Sequence, residues 1–435
     1  MTTSHVELDI DDVAVGGDGV GRTAGGKVVF VGSTMPGDRV RVALIKERKR
    51  HAHGRLVEVL EPSSARREVT CDAHRAGCGG CAWLGFEIEA QRAAKRAMVP
   101  QALERIGRLT PELTEGIDLG WGAELAPVGF RTQLRCGVEG DRLAFKEGAS
   151  HRLVEAGSCQ VAHPGLVEVL ESGRFPQTGE AVLRHGAVTG ETLVVLDRGA
   201  EQATVPEGVR VVNRREAVAA SYTEVIEGHR FRVSAGSFFQ TRSDGATALV
   251  REVSDMIGGR PRRLLDVGCG VGLFSVTISA EQMTVGVERN AASAADARHN
   301  LTLAAAGGGG RTVPEFEPRA DMSRQVQARS GSAREWAVHE VDLDDWTPTD
   351  NDVVVADPAR AGLGRAGVAA MVGSRPDRIV LVSCDVGAFG RDTGLLVESG
   401  WVPTRIRLLD LFPQTPHVEI ITRFDPLDAV TRRGE

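Results

Sequence analysis

From about Ala246 onward, short apolar runs alternate with helical stretches, and this alternation constrains the fold of the chain more than any other feature. Arg263–Val267, Met283–Val287, Asp352–Ala356 and Arg378–Val382 are too short for buried helices. Strands that are apolar on both faces and separated by helices belong to a doubly wound, mostly parallel α/β sheet. In such sheets ligands bind beyond the carboxyl ends of the strands. Those ends are therefore where chemistry is to be sought.

The first strand runs into Leu264-Leu-Asp-Val-Gly-Cys-Gly-Val-Gly-Leu-Phe274. Its glycines, Gly268, Gly270 and Gly272, allow positive φ and close backbone approach to a ligand, and a helix start at Leu273 would supply unpaired N–H groups. Asp266 precedes the turn. Glu288 ends the next strand, where an acid can accept hydrogen bonds from ribose hydroxyls. The pattern is G-x-G-x-G rather than the dinucleotide G-x-G-x-x-G, which favours S-adenosylmethionine over a nicotinamide cofactor. Gly307–Arg334 interrupts the alternation and is expected to be an inserted loop.

Two further strand ends carry reactive groups. Val353-Val-Val-Ala-Asp-Pro-Ala-Arg360 puts Asp357 and Arg360 at one, and Val380-Leu-Val-Ser-Cys-Asp385 puts Cys384 at the next. A rim cysteine can act as a nucleophile if its thiolate is stabilised; otherwise it is a small buried hydrophobe. Phe412-Pro-Gln-Thr-Pro-His-Val-Glu419 supplies Glu419, a candidate general base.

Upstream, Val6 to Glu61 reads as short strands broken by turns, a small β-barrel. Cys71, Cys78 and Cys81 follow on one loop before a helix over about 87–106, and Cys159 lies farther on. Four thiolates suit either tetrahedral zinc or a [4Fe–4S] cluster, and spacing alone does not separate them. Cys136 and Cys269 are expected to be structural. The stretch from about 120 to 235 is strand-rich. These shifts divide the chain into 1–62, 63–235 and 236–435.

The net charge of −7 speaks against nucleic acid only on average. Between Arg39 and Arg67, nine basic residues face Glu47, Glu58 and Glu61, a local surplus of +6. That is a footprint for phosphate contact, with a solvated arginine-rich hairpin as the plain alternative. No run approaches the ~18 apolar residues of a membrane span. The acidic start without an apolar core predicts no secretory signal, hence a cytoplasmic protein without a disulfide framework.

Together these residues resemble the RNA uracil-5-methyltransferases that carry an N-terminal TRAM domain. Gly17-Asp-Gly-Val-Gly-Arg22 and Pro36-Gly-Asp38 look like TRAM, Ser237-Phe-Phe-Gln240 like the family's Phe-Gln motif, Asp357–Arg360 like its Asp-Pro-x-Arg loop, and Ser383-Cys384 and His417–Glu419 like its nucleophile and base. The resemblance implies a class I S-adenosylmethionine-dependent fold and a [4Fe–4S] cluster on Cys71, Cys78, Cys81 and Cys159 in preference to zinc. It further implies ribosomal or transfer RNA as partner and methylation of uracil carbon 5 through a Cys384 adduct with Glu419 as base. Gln240 and Asp357 would meet the cofactor or the uracil, Asp342 or Asp344 after the loop 307–334 would make the further acidic contact to the cofactor, and Phe239 and Phe412 would be stacking partners with Arg360 as a substrate contact. The enzyme is expected to be a monomer. Competing readings are a class I methyltransferase acting on another RNA base and a non-catalytic RNA-binding factor.

Overall fold

The computed structural model describes residues 4–148, 150–157, 159–308, 311–312 and 335–434. The first strands β1 (His5–Val13), β2 (Gly19–Arg22), β3 (Val28–Val31), β4 (Arg39–Glu47) and β5 (His51–Glu61) close into a barrel in the order β1-β2-β3-β5-β4. Period-two alternation turns Leu8, Ile10, Val29, Val31, Val40, Val42 and Ala52 into its interior. Asp38, buried beneath, accepts from Met35 N and Ser63 N and from Arg66 Nε at 2.7 Å, which ties the barrel to the segment that leaves it.

That segment holds α1 (Asp72–Arg75), α2 (Ile88–Arg105), α3 (Pro111–Thr114) and β6 (Asp118–Trp121). The middle of the chain builds a six-stranded sheet from β7 (Gln133–Glu139), β8 (Arg142–Lys146), β9 (Leu153–Glu155), β10 (Glu180–His185), β11 (Thr192–Leu196) and β12 (Val209–Asn213), ordered β12-β11-β10-β7-β8-β9. The helix α4 (Pro164–Ser172) covers it through Leu166, Val169 and Leu170. A hairpin, β13 (Ser221–Ile226) and β14 (His229–Ser234), follows.

The remainder comprises α5 (Ser243–Ile257), β15 (Arg263–Val267), α6 (Leu273–Thr277), β16 (Met283–Glu288), α7 (Ala291–Gly308), β17 (Arg311–Thr312), β18 (Glu335–Glu340), β19 (Val353–Ala356), α8 (Gly364–Gly373), β20 (Arg378–Ser383), α9 (Val386–Glu398), β21 (Trp401–Leu409), β22 (Glu419–Pro426) and α10 (Leu427–Gly434). Its sheet runs β17-β18-β16-β15-β19-β20-β22-β21-β6, parallel from β17 to β20, with β22 antiparallel to both of its neighbours. The four predicted strands are all present. The order reverses at β15, so the glycine turn opens at the switch point of the sheet. Most of the predicted insertion 307–334 lies outside the described residues.

The packing crosses the segments drawn from composition. β6, from the stretch expected in the middle unit, pairs parallel with β21 as the ninth strand. α2 packs on α9 so closely that a Cβ at Gly390 would lie 2.6 Å from the carbonyl of Ala102. The β13–β14 hairpin is bound to α7 by Arg232 to Asp296 at 2.7 Å and by Asn300. Apolar surface on these elements finds cover only against the large sheet, and no local pattern encodes that.

Candidate active site

Gly268, Gly270 and Gly272 all have positive φ, at 69°, 54° and 88°. A Cβ on Gly268 would sit 3.1 Å from the carbonyl oxygen of Asp357, whereas one on Gly270 would meet nothing within 4 Å. The turn is thus tight against the neighbouring loop and open on the side where a ligand can enter. Asp266 is fully buried below it, accepting from Ser275 N at 2.8 Å and Ser275 Oγ at 2.6 Å, while its other oxygen has no partner. Burial lifts this carboxyl to about 7. Glu288 accepts from Gly270 N at 3.0 Å and Asn290 N at 2.6 Å, so its carboxylate rests on the turn. Asp342 begins the short turn after β18 and lies 3.8 Å from Arg289. Leu273, a predicted cofactor contact, is 7% exposed and points into the core, so its side chain supports the turn from behind.

The catalytic candidates meet through sheet register. Ser383 pairs with Ile420 across β20 and β22, so Cys384, just past the end of one strand, comes beside Glu419, the first residue of the other. Glu419 is 2% exposed, and burial, reinforced by Asp357, pushes its carboxyl well above the usual range. Burial and then the charges of Glu419 and Asp357 push the Cys384 thiol up to about 12, with Arg360 pulling the other way. Asp357 is raised to about 7 by burial and by Asp266, and its Oδ2 accepts from Gln240 Nε2 at 3.2 Å. Gln240, Asp357, Arg360, Cys384 and Glu419 therefore form one acidic group, with the Arg360 guanidinium close to the thiol and the carboxyl of Glu419.

A cleft of about 360 Å³ adjoins this group, lined by Gly79–Ala82, Phe130, Arg131, Arg360, Phe412 and His417 among others. Phe412 and His417 meet edge to face at 6.2 Å. Phe239 does not belong to the cleft. It is 3% exposed and packed on Phe231 at 6.1 Å, while its neighbour Phe238 is 62% exposed. Successive side chains on an extended segment face opposite ways, and the core took the second phenylalanine. The exposed ring is that of Phe238.

Sequence reasoning missed the clamp on the segment 410–417. Lys95 of α2 is fully buried, donating to Asp410 Oδ1 at 2.6 Å and to the carbonyl of Phe412 at 3.1 Å. Gln91, one turn earlier, donates to Gln414 Oε1 and accepts from Gln414 N. Arg242, also buried, forks onto Asp244, donates to the carbonyl of Asp410 and lies 4.4 Å from the Phe130 ring. The signal was present in part: Gln91 and Lys95 fall on the helix face that carries Met98, Val99 and Ala102.

Cys71, Cys78, Cys81 and Cys159 are half-buried; burial first, and then the neighbouring thiols, push Cys78, Cys81 and Cys159 up, Cys81 to about 12. The backbone N–H groups of Gly80 beside Cys78, and of Val161 and Ala162 beside Cys159, pull the other way. Arg131 also lies near. Among the described residues, no three Cys, His, Asp or Glu side chains converge to hold a single metal ion. Cys136 and Cys269 are buried, as expected of structural thiols.

A parallel sheet reversing at a glycine turn, with an acid on the following strand, defines a class I methyltransferase fold. The sequence profile of the tRNA (Uracil-5-)-methyltransferase family matches residues 207–422, and that of the TRAM domain matches residues 1–57. An uncharacterized RNA methyltransferase of Streptomyces coelicolor is 31% identical over 98% of this chain and 94% of its own. Another, from Thermosynechococcus vestitus, is 31% identical over 96% and 97%. The structure of a tRNA (uracil-54, C5)-methyltransferase from Pyrococcus abyssi, in complex with S-adenosyl-L-homocysteine, superimposes with a TM-score of 0.67 over 96% of this chain and all of that one, at 21% identity. The chain belongs to the TRAM-bearing RNA (uracil-5-)-methyltransferases, and it is an enzyme of that family.

Proposed function

We propose that this enzyme methylates carbon 5 of a uridine in ribosomal or transfer RNA, using S-adenosylmethionine, through a covalent adduct on Cys384. The observation that carries the reading is the meeting of Cys384 and Glu419 on adjacent strand ends, beside Asp357 and Gln240. S-adenosylmethionine, when bound, supplies an electrophilic methyl group. The open side of the turn at Gly270, with Glu288 and Asp342 at the flanking strand ends, is suited to hold it, and Asp266 acts indirectly by fixing Ser275.

Uracil carbon 5 is too weak a nucleophile unless carbon 6 first gains an electron pair. The Cys384 thiolate adds to carbon 6, and the electrons of the 5,6 double bond pass into an enolate that makes carbon 5 nucleophilic. Once carbon 5 has been methylated, Glu419 takes its proton. The double bond re-forms and Cys384 leaves as thiolate. Asp357 accepts from the uracil N3–H, Gln240 holds an edge of the ring, and Phe412 and Phe238 offer stacking faces. Arg360 favours the charged forms of both Cys384 and Glu419. The base must leave its stack to reach them, at a cost of about a few kcal/mol that is least in a loop.

Cys71, Cys78, Cys81 and Cys159 would be the ligands of a [4Fe–4S] cluster: their thiols lie near one another, and the resemblance to the family favours iron–sulfur over zinc. Brown colour and stoichiometric iron and sulfide in the purified protein would support it. The barrel is read as the RNA-holding unit, and the enzyme as a cytoplasmic monomer. Among the described residues no helix is long and apolar enough to cross a membrane.

The test is methyl transfer from labelled S-adenosylmethionine into RNA by the wild type and by Cys384→Ala. Label should appear as 5-methyluridine with the wild type and vanish with the variant. Undiminished transfer by Cys384→Ala refutes the adduct, and label in cytidine refutes the choice of base.

A further inference from the structure

The barrel carries a feature the catalytic reading does not use. Val29, Val31, Ala52 and Gly54 point inward, so Phe30, His51 and His53, which alternate with them, stand on the outer wall. Phe30 is paired with His53 across β3 and β5, and His53 with Lys46 across β5 and β4. The rings touch one another: Phe30 to His53 at 5.3 Å, Phe30 to His51 at 6.0 Å, His51 to His53 at 5.9 Å. Three rings clustered outside a core they do not fill call for a ligand with a flat face.

Charge points the same way once pairing is counted. Arg39 and Arg41 are engaged by Glu7, Glu58 and Glu61. Arg66 is held by Asp38, and Arg67 by Leu84 O and Gln414. Among the described residues, Lys46, Arg48, Lys49 and Arg50 make no such pairs and are exposed, so the surplus concentrates on the β4–β5 turn that leads directly into His51. The ring row also connects with the cleft. Asp18 lies near His53. Its neighbour Gly17, at φ 96°, presses so closely on the cleft residue Pro416 that a Cβ there would lie 2.1 Å from the Pro416 Cβ.

We propose that Phe30, His51 and His53 form a base-stacking subsite for an unpaired nucleotide of the substrate RNA, with Lys46, Arg48, Lys49 and Arg50 taking the adjoining phosphates. The subsite rests on the RNA methyltransferase reading and adds to it a second point of grip, outside the catalytic cleft and bridged to it by the β1–β2 turn. Stacking on rings tolerates any base and requires a strand free of a partner, so the subsite selects single-stranded RNA next to the target rather than a sequence.

The experiment measures binding of a fluorescein-labelled single-stranded RNA 12-mer by anisotropy, with a second 12-mer carrying 2-aminopurine to report stacking. Full-length wild type is compared with Phe30→Leu/His53→Ala and with Lys49→Ala/Arg50→Ala. The ring variant should weaken binding by at least about fivefold and lose 2-aminopurine quenching at saturating protein. The cation variant should weaken binding and flatten its salt dependence while keeping the quenching. Phe30→Tyr should restore both affinity and quenching, which a merely misfolded barrel would not. Wild-type affinity and quenching in the ring variant would overturn the subsite alone. Failure of the wild type to bind the 12-mer would overturn the RNA reading as well.

Discussion

Replacing Lys95 with methionine tests the clamp on the segment that holds Phe412 and leads to Glu419. The ammonium and the Asp410 carboxylate are 0% and 4% exposed and 2.6 Å apart, and burial depresses the lysine pKa despite that partner. Methionine fills much of the volume, so the loss is electrostatic. Removing one member of a buried pair typically costs about 3–5 kcal/mol, because the other charge remains in a medium that solvates it poorly. The Phe412 carbonyl loses its donor as well, an effect contained in that range. Arg242 bonds the Asp410 backbone carbonyl rather than its carboxylate, so it does not replace the missing cation. Urea unfolding followed by tryptophan fluorescence should show the midpoint falling with little change in slope. Lys95→Met/Asp410→Leu, which removes both charges, should recover most of the loss. Under conditions where the single variant remains folded, KM for RNA should rise, since the cleft wall at Phe412 and His417 is no longer held. A loss below about 1 kcal/mol, or a double variant no better than the single, would refute the reasoning.

Three further outcomes follow from the same site. With its thiol raised to about 12, Cys384 in the free enzyme should react with iodoacetamide about tenfold faster per pH unit from 7 to 10, followed by peptide mass spectrometry; a plateau below pH ~9 would contradict this. Arg360→Gln removes the cation that lowers both Cys384 and Glu419, so the rising limb of the pH profile of kcat/KM should move to higher pH; an unmoved limb would show that the guanidinium acts on substrate alone. Asp266 titrates from 3.8 when unfolded to about 7 when folded, so the folded protein holds that proton more tightly. Its contribution to stability is complete below pH ~4 and is lost as pH rises through about 7. Asp266→Asn, which keeps an acceptor for Ser275, should therefore show a flatter thermal midpoint between pH 4 and 7.5 than the wild type.

Local pattern determined a good deal on its own. Strands buried on both faces, the positive-φ glycine turn, the barrel and the placement of Asp357 and Cys384 at strand ends all follow from periodicity and backbone sterics within about ten residues. What local pattern could not decide depends on residues far apart in the chain. Phe238 and Phe239 are equivalent in sequence, and only packing on Phe231 shows that the second is core and the first exposed. Leu273 reads as part of a ligand-binding turn until its side chain is seen facing inward. The +6 stretch becomes a compact patch only after Glu7, from another strand, neutralises Arg39 and Arg41. Lys95 and Asp410 are 315 residues apart, and their pairing exists only because α2 lies against the large sheet. Cys384 and Glu419 likewise become partners only through the antiparallel register of β20 and β22. Sequence thus named the chemical groups, because their local backbone setting is written nearby. Tertiary structure decided which of them share a site, because burial and charge pairing are set by contacts that close long loops.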